Sequence, residues 1–159
     1  MWKLLLVCLL LLPACCKAEG NCRWLNEATA AGVLNGPVSM EVKDMGDMGG
    51  TCTFGLRSEP KALGLQIVVR KIGEMEKGIT GYGSDCVDSS ISLQAIGNEA
   101  TACAVNIGGS RGEQVVGRVR DRVFIISIDA AMSPNPSENS KLLQQKAESV
   151  AEQVAGSLF

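Results

Sequence analysis

Histidine is absent from this chain of 159 residues. Its absence excludes Ser-His-Asp and Cys-His catalysis, histidine-ligated zinc, and the side chain that most often acts as a general base near neutral pH. Aromatic residues are scarce, at 4% of the sequence, so base-stacking platforms and large aromatic-lined pockets are not expected. The chain is left with carboxylate chemistry, sulfur or oxygen metal ligands, and non-catalytic binding.

An excess of positive charge is also missing. Lysine and arginine number 15 against 17 acidic residues, a formal net charge of -2. Proteins that bind nucleic acid usually present a concentrated basic surface, so we expect no nucleic acid among the partners. The length suits one domain with a core of its own.

No apolar run is long enough to span a membrane. Lys3 is followed by apolar residues over positions 4–12, whereas a membrane-spanning helix needs roughly 20. A short apolar segment after a positive residue is typical of a signal peptide, which we predict over residues 1–14.

The apolar run ends at Leu12-Pro13-Ala14-Cys15, which resembles the lipobox of bacterial lipoproteins. In that family the cysteine receives a lipid and the peptide is cut before it. The resemblance implies palmitate-type acylation of Cys15, a lipidated tether over residues 15–21 and an exported, membrane-anchored protein at the cell envelope. Two or three acyl chains anchor a protein stably, whereas one does not. The alternative is an ordinary secretory cleavage site with Cys15 as a plain thiol.

Cys16 follows Cys15 in place of aspartate. By the sorting rule of Gram-negative lipoproteins, this implies the outer membrane if the source is Gram-negative. We assign Cys16 itself no role.

Cys8 would leave with the signal peptide, and four cysteines then remain in the body of the domain: Cys22, Cys52, Cys86 and Cys103. An even number in an exported domain predicts disulfides.

Spacing alone leaves three pairings of these four cysteines open. We favour Cys22–Cys52, which would tie the first helix to an early strand, and Cys86–Cys103, which would close a central loop. Cys52 and Cys103 both alternate with apolar residues, so we expect both to point into the apolar face of a strand. Zinc is disfavoured because no two of these cysteines have the CxxC spacing.

The periodicity predicts an α+β fold. A short helix is expected over residues 26–34, since Asn26 suits an N-cap and Asn35-Gly36 a stop. Period-two strands follow, with residues 91–97 as the weakest, and an amphipathic helix begins at the capping box of residues 135–138. We therefore expect a single domain over residues 22–159, an antiparallel sheet of about five to six strands with both helices packed on one face.

Four features together resemble a known group of proteins. They are Cys22-Arg23-Trp24-Leu25 opening a helix that ends at Gly36, Cys52-Thr53-Phe54 in a strand, Gly97-Asn98-Glu99-Ala100 before a strand, and the closing amphipathic helix. The chain is similar over most of residues 22–159 to small bacterial lipoproteins of unknown function, common in actinobacteria, with a Mog1/PsbP-like α/β/α sandwich. The resemblance implies that fold and supports Cys22–Cys52, and it implies no activity. Arg23-Trp24 and Phe54 depart from the family's usual residues.

Several segments invite sharper hypotheses. Residues 97–100 and 108–112 could present backbone amides to an anion, but simple strand-to-strand turns are the favoured interpretation. Arg118, Arg120 and Arg122 share a strand phase and could line one polar face, with a plain solvated face favoured.

Two metal sites are also conceivable. Met40, Met45 and Met48 with Asp44 and Asp47 would be soft and acidic ligands for copper. A calcium site would use four carboxylates whose spacing does not match an EF-hand: Glu74, Glu76, Asp85 and Asp88.

No base is identifiable beside any serine, threonine or cysteine. The sequence therefore predicts a lipid-anchored binding or scaffold domain without catalysis or cofactor, facing an envelope protein or a small apolar ligand. The alternatives are a carboxylate-dependent envelope hydrolase and a methionine-based copper sensor or chaperone.

Overall fold

The computed structural model describes residues 20–58, 63–73, 79, 81–82, 86–130 and 136–159. The predicted signal peptide, the lipobox with Cys15, and Cys16 lie outside these residues, as does the predicted N-cap at Asn135. Within the described part of the chain, no helix combines the length and apolar character needed to cross a membrane.

The first helix, α1, covers Glu27–Leu34 and is capped at both ends as predicted. The Asn26 side chain accepts a hydrogen bond from the Thr29 amide at 2.8 Å, which satisfies one of the free amides of the first turn. Asn35 ends the helix in the left-handed conformation, with φ of 59°. Local chemistry therefore sets both boundaries of this element.

In the described part of the chain, seven strands follow α1 and precede a long final helix. They are β1 (Val38–Asp44), β2 (Gly49–Leu56), β3 (Leu63–Lys71), β4 (Ile91–Leu93), β5 (Glu99–Ile107), β6 (Ser110–Val119) and β7 (Arg122–Ala130), and the helix is α2 (Pro136–Leu158). All pairings are antiparallel, and the strand order across the sheet is β1-β2-β3-β7-β6-β5-β4.

The α+β class with an antiparallel sheet is confirmed, but the expected five to six strands are too few. The seventh strand is β4, whose three residues pair with β5 from Ile91 opposite Ala102 to Leu93 opposite Ala100. A strand this short shows no reliable alternation in the sequence. Its existence depends on the partner strand rather than on its own residues.

Two hairpins join the strands that lead to the centre of the sheet. Gly108 and Gly109 connect β5 to β6 with φ of 58° and 87°, and Ile107 pairs with Ser110 across them. Arg120 and Asp121 connect β6 to β7 in the same two-residue manner. Each turn begins with a residue of positive φ, Gly108 in the first and Arg120 in the second, as expected for the primed turns that match the twist of the flanking strands.

The core lies between one face of the sheet and the helices. Strand residues at the centre of this face are fully buried, among them Phe54, Ile67, Val115 and Ile126. The apolar stripe predicted for α2 is buried against them through Leu143, Ala147, Val150 and Val154, and Leu158 is partly buried. Contacts of α2 concentrate on β6 and β7, and those of α1 on β1, β2 and β3.

The structure contains the disulfides Cys22–Cys52 and Cys86–Cys103, with Cα atoms 5.8 Å and 5.6 Å apart. These are the pairs favoured from the sequence. Cys52 is fully buried in the helix-covered core. Two such bonds indicate an oxidising environment outside the cytoplasm.

Cys103 is buried as well, but it lies on the opposite face of the sheet from the helices. The residues of β5 that join the helix-covered core are Ala100 and Ala102, and side chains alternate between faces along a strand. Cys103 therefore lies on an apolar face of its strand, in the same phase as the buried Val105, but this face is not the one that the helices cover. Both phases of β5 are apolar, so alternation could not distinguish the two faces.

Candidate functional site

A pocket of about 160 Å³ opens where β4, β5 and β6 meet the first turns of α2. Its walls combine small apolar residues with polar and charged ones: Asp88, Ser89, Ile91, Ala102, Cys103, Ala104, Arg111, Glu113, Ser140 and Gln144. The pocket is smaller and more polar than most small-molecule sites, and it contains the buried carboxylate of Glu113. It is the candidate functional site.

Glu113 is the central polar group of the pocket. It lies on β6 opposite Ala104 of β5, on the face that α2 covers, and only 5% of it is exposed. The Ser140 hydroxyl of α2 donates to its Oε1 at 2.6 Å. Burying a carboxylate is costly unless donors surround it, so this hydrogen bond and the small neighbour Ala104 explain how the site accommodates the group.

An ion pair forms the rim of the pocket. The Arg111 guanidinium lies 2.9 Å from the Asp88 carboxylate, and both side chains are at least half exposed. Exposed pairs of this kind contribute little to stability. The pair does hold a cation and an anion beside the opening, where a ligand would meet them before reaching Glu113.

The helix side of the pocket presents Ser140 and Gln144. They are four residues apart and so lie on the same face of α2. The Gln144 amide nitrogen donates to Glu148 at 2.7 Å. The strand side adds an apolar contact through Ile91, which is 47% exposed. The pocket therefore has a polar floor and a partly apolar rim.

The disulfide Cys86–Cys103 holds one wall of the pocket in place. Cys86 bridges to β5 opposite Val105, and the Val87 amide donates to the Ala104 carbonyl at 2.9 Å. The same segment continues to Asp88 and Ser89, which line the opening. The disulfide predicted from the even number of cysteines therefore borders the pocket. The sequence did not predict the pocket itself.

The turn at residues 97–100 is structural. Gly97 adopts a φ of 64°, and an added Cβ there would collide with the Arg118 carbonyl oxygen. The Asn98 amide donates to that same oxygen at 2.7 Å, and the Asn98 side chain accepts from the Arg120 amide at 2.7 Å. These bonds use the groups that an anion would need, so the favoured interpretation as a turn is confirmed.

The arginines of the β6–β7 hairpin do not share a face. Arg118 pairs opposite Val123, and Arg122 opposite the core residue Val119. The two-residue turn resets the alternation, which places Arg118 and Arg122 on opposite sides of the sheet. Arg118 is also occupied by Glu99, whose Oε1 lies 2.6 Å from its Nε. The hypothesis of one polar arginine face is wrong.

The methionines of the copper hypothesis are divided. Met40 packs against the core, whereas Met45 and Met48 are exposed on the β1–β2 turn. Asp44 is paired with Arg23 at 2.6 Å. For the calcium hypothesis, three of the four carboxylates lie outside the described residues, and Asp88 is paired with Arg111. No group of three or more potential His, Cys, Asp or Glu metal ligands occurs among the described residues.

Glu113, Ser140 and Gln144 were not among the residues singled out from the sequence. Glu113 lies in β6 in the same inward phase as Val115, and both are buried. The sequence did contain a signal for Glu113, because it is an acidic residue at a position where alternation along the strand predicts an inward-facing side chain. Ser140 and Gln144 offered none, because polar residues near the start of an amphipathic helix are ordinary.

No protein-family model matches this chain, and no curated protein matches it either.

Proposed function

We propose that this protein is an exported lipoprotein, anchored through an acylated Cys15, whose domain binds a small polar ligand without catalysis. The observation that carries the binding function is the buried Glu113 carboxylate in an open pocket. The two disulfides support the exported location. Membership of the Mog1/PsbP-like lipoproteins is part of the same proposal and rests on the resemblance of short sequence motifs.

The chemistry of the pocket favours a ligand that donates hydrogen bonds. Among the described residues, Ser140 is the donor to Glu113, and each of the two carboxylate oxygens can accept more than one bond. An ammonium or similar cationic head group would donate charge-assisted hydrogen bonds to the remaining acceptor positions of this carboxylate. We therefore favour a polar, amine-bearing ligand over the small apolar ligand expected from the sequence.

The binding function can be tested with a matched pair of small probes. We expect n-butylamine to raise the melting temperature of the purified full-length protein and n-butyrate to leave it unchanged. Glu113→Gln should abolish the effect of the amine, while Glu152→Gln, at an exposed position of α2, should preserve it. Equal stabilisation by both probes, or an unaltered response of Glu113→Gln, would contradict the proposal.

The anchor can be tested independently of the ligand. Cys15→Ser should lose labelling by palmitate and should move the protein from the membrane to the soluble fraction. Intact mass with and without reductant should show four thiols blocked as disulfides. Unchanged labelling and fractionation of Cys15→Ser would remove the lipoprotein part of the proposal.

A carboxylate-dependent hydrolase remains the second candidate, because Asp88 and Glu113 line the same pocket. Glycoside hydrolysis commonly uses two such groups. If this alternative holds, a panel of p-nitrophenyl glycosides should include one that the protein cleaves, and Asp88→Asn and Glu113→Gln should each abolish cleavage. Binding of n-butylamine without any cleavage by the wild-type protein favours the non-catalytic function.

A further inference from the structure

The turn between β1 and β2 exposes two large apolar side chains. Met45 is 53% and Met48 is 59% exposed. The turn itself is ordered by local bonds: the Met45 amide donates to the Gly49 carbonyl and the Gly46 amide to the Asp44 carboxylate, both at 2.9 Å. The two methionines are therefore exposed on an ordered turn at one corner of the sheet.

Trp24 lies beside this turn. Its Cη2 atom is 3.2 Å from the position that a Cβ on Gly50 would take, so the indole covers the start of β2. The ring is partly buried against the core. Tryptophan is enriched where proteins meet the membrane–water interface, and methionine adapts readily to irregular apolar surroundings. We call Trp24, Met45 and Met48 the corner patch.

The chain that leads to Cys15 ends close to the corner patch. A Cβ on Gly20 would lie 4.0 Å from the Val42 Cβ. Gly20 lies five positions after Cys15, which allows at most about 18 Å of chain between them. Val42 precedes Met45 by three residues of extended chain, about 10 Å. A lipid on Cys15 would therefore keep this corner within reach of the bilayer.

The charges around the corner patch largely cancel. Arg23 pairs with Asp44 at 2.6 Å and Lys43 with Glu41 at 3.8 Å. Asp47 is left as an exposed acidic group on the turn. Contact with a bilayer would consequently depend on the apolar side chains and would not require anionic lipids.

We propose that the corner patch inserts into the membrane interface and orients the domain on the bilayer. The inference rests on the proposed acylation of Cys15. Because β1 and β5 are separated by four strands in the sheet, the pocket is held about 20 Å or more from the edge nearest the anchor. The domain thus presents its ligand pocket away from the lipid surface.

The fluorescence of Trp24 provides a natural probe of the contact between the corner patch and the membrane. The sequence has two tryptophans, Trp2 and Trp24, and only Trp24 remains after cleavage before Cys15. We would reconstitute the lipidated full-length mature protein into phosphatidylcholine vesicles, with and without acyl-chain bromination. Fluorescence should be quenched by the brominated lipid, and acrylamide quenching should fall about twofold relative to the detergent-solubilised protein, since the indole moves into the interface.

Variants separate membrane contact by the patch from tethering alone. Met45→Ser/Met48→Ser should lose quenching by brominated lipid while still floating with the vesicles. Leu142→Ser, which alters an equally exposed residue of α2, should behave as wild type. Replacing part of the phosphatidylcholine by phosphatidylglycerol should leave the quenching unchanged.

The outcomes distinguish the inference from the proposed function. If intact mass shows acyl chains and the protein floats with vesicles, but Trp24 is not quenched by brominated lipid, the orientation is wrong and the anchor stands. Equal quenching in the double methionine variant also overturns the role of the patch. If the mass shows no acyl chain and the protein does not float, the proposed anchor fails and the inference falls with it.

Discussion

At the scale of single residues, Glu113 is the charged side chain that the described part of the core encloses. Its burial, at 5% exposure, has a structural consequence besides any role in binding. The carboxylate joins β6 to the second turn of α2 through Ser140. A negative group near the start of a helix is also favoured by the helix dipole. Glu113 should therefore contribute to the docking of α2.

This contribution can be measured by truncation. We expect Glu113→Ala to lower the free energy of unfolding by about 1 to 3 kcal/mol, because it removes a hydrogen bond to Ser140 and leaves unfilled space. Glu113→Gln should cost less, since its amide oxygen can still accept from Ser140. Urea unfolding monitored by circular dichroism provides the measurement, with Glu152→Ala as the exposed control. An equal or greater stability of Glu113→Ala would show that the structural role is wrong.

Gly117 offers a second residue-scale prediction, based on packing. A Cβ at this position of β6 would collide with the ring of Phe124, which is fully buried in the core. We expect Gly117→Ala to destabilise the domain by about 1 to 3 kcal/mol through overpacking.

The matched control for Gly117 is Gly156, in the last turns of α2. A Cβ there would meet nothing within 4 Å. Gly156→Ala should stabilise the domain by roughly 0.5 to 1 kcal/mol, because alanine loses less backbone entropy in a helix. Thermal unfolding of both variants should therefore show opposite shifts of the melting temperature, and shifts of the same sign would contradict the packing argument.

At the scale of elements, the β5–β6 hairpin depends on the conformation of its two glycines. Gly108 has a φ of 58° and no neighbouring atom near its Cβ position, so the obstacle to substitution is the backbone and not space. Gly108→Val should destabilise by about 1 to 2 kcal/mol, whereas Gly108→Asn should be closer to neutral, because asparagine tolerates the left-handed region. Chemical denaturation of the two variants tests the difference. Equal costs would show that the left-handed conformation does not limit this turn.

A link between the two helices leads to a prediction on pH. With its amide oxygen turned toward Lys146, Asn35 accepts from the Lys146 Nζ at 3.2 Å and its nitrogen donates to the Gly32 carbonyl at 3.1 Å. Burial lowers the pKa of Lys146 below its ordinary value of 10.5. Between the lowered pKa and 10.5, the unfolded chain binds more protons at this site than the folded protein.

Stability should therefore rise with pH across that window in wild type relative to Lys146→Gln. Urea midpoints of the two proteins at matched pH values provide the measurement, and the comparison removes the contribution of the other titrating groups. A difference that stays constant or reverses with pH would show that desolvation does not dominate at Lys146.

The two helices and the β6–β7 hairpin show which predictions could be made from local chemistry. The ends of α1 were predictable because Asn26 and Asn35 act within the helix itself. The apolar stripe of α2 was predictable because its apolar residues recur at steps of three and four. The phase of Arg118 and Arg122 was not carried through the intervening turn, so both were placed on one face. Periodicity holds only within an element, and a two-residue turn resets it.

At the scale of the whole molecule, the two disulfides lie on opposite faces of the sheet. Cys22–Cys52 closes a separation of 30 residues and lies in the helix-covered core, and Cys86–Cys103 closes 17 residues on the other face. On the chain-entropy model, each stabilises by roughly 3 to 4 kcal/mol. Both are of the size that decides whether a domain of this length stays folded.

We expect the Cys22→Ala/Cys52→Ala and Cys86→Ala/Cys103→Ala double variants each to lower the free energy of unfolding by about 3 kcal/mol. The second should also weaken any ligand binding, because the Cys86 segment carries Asp88 at the rim of the pocket. The first should leave that binding unchanged where the variant remains folded. Urea unfolding and n-butylamine titration separate these effects, and a pattern reversed between the two variants would contradict the placement of the site.

The sequence by itself determined the two helices and most of the strands, because caps, glycine turns and apolar periods act over a few neighbouring residues. It also determined that residues 22–159 carry an even set of four cysteines. Only the tertiary structure decided that β4 forms a strand on the edge of β5. It likewise decided that Cys103 faces away from the helices and that Glu113 meets Ser140, 27 residues further along the chain. Such contacts depend on strand order and register, which no local pattern encodes.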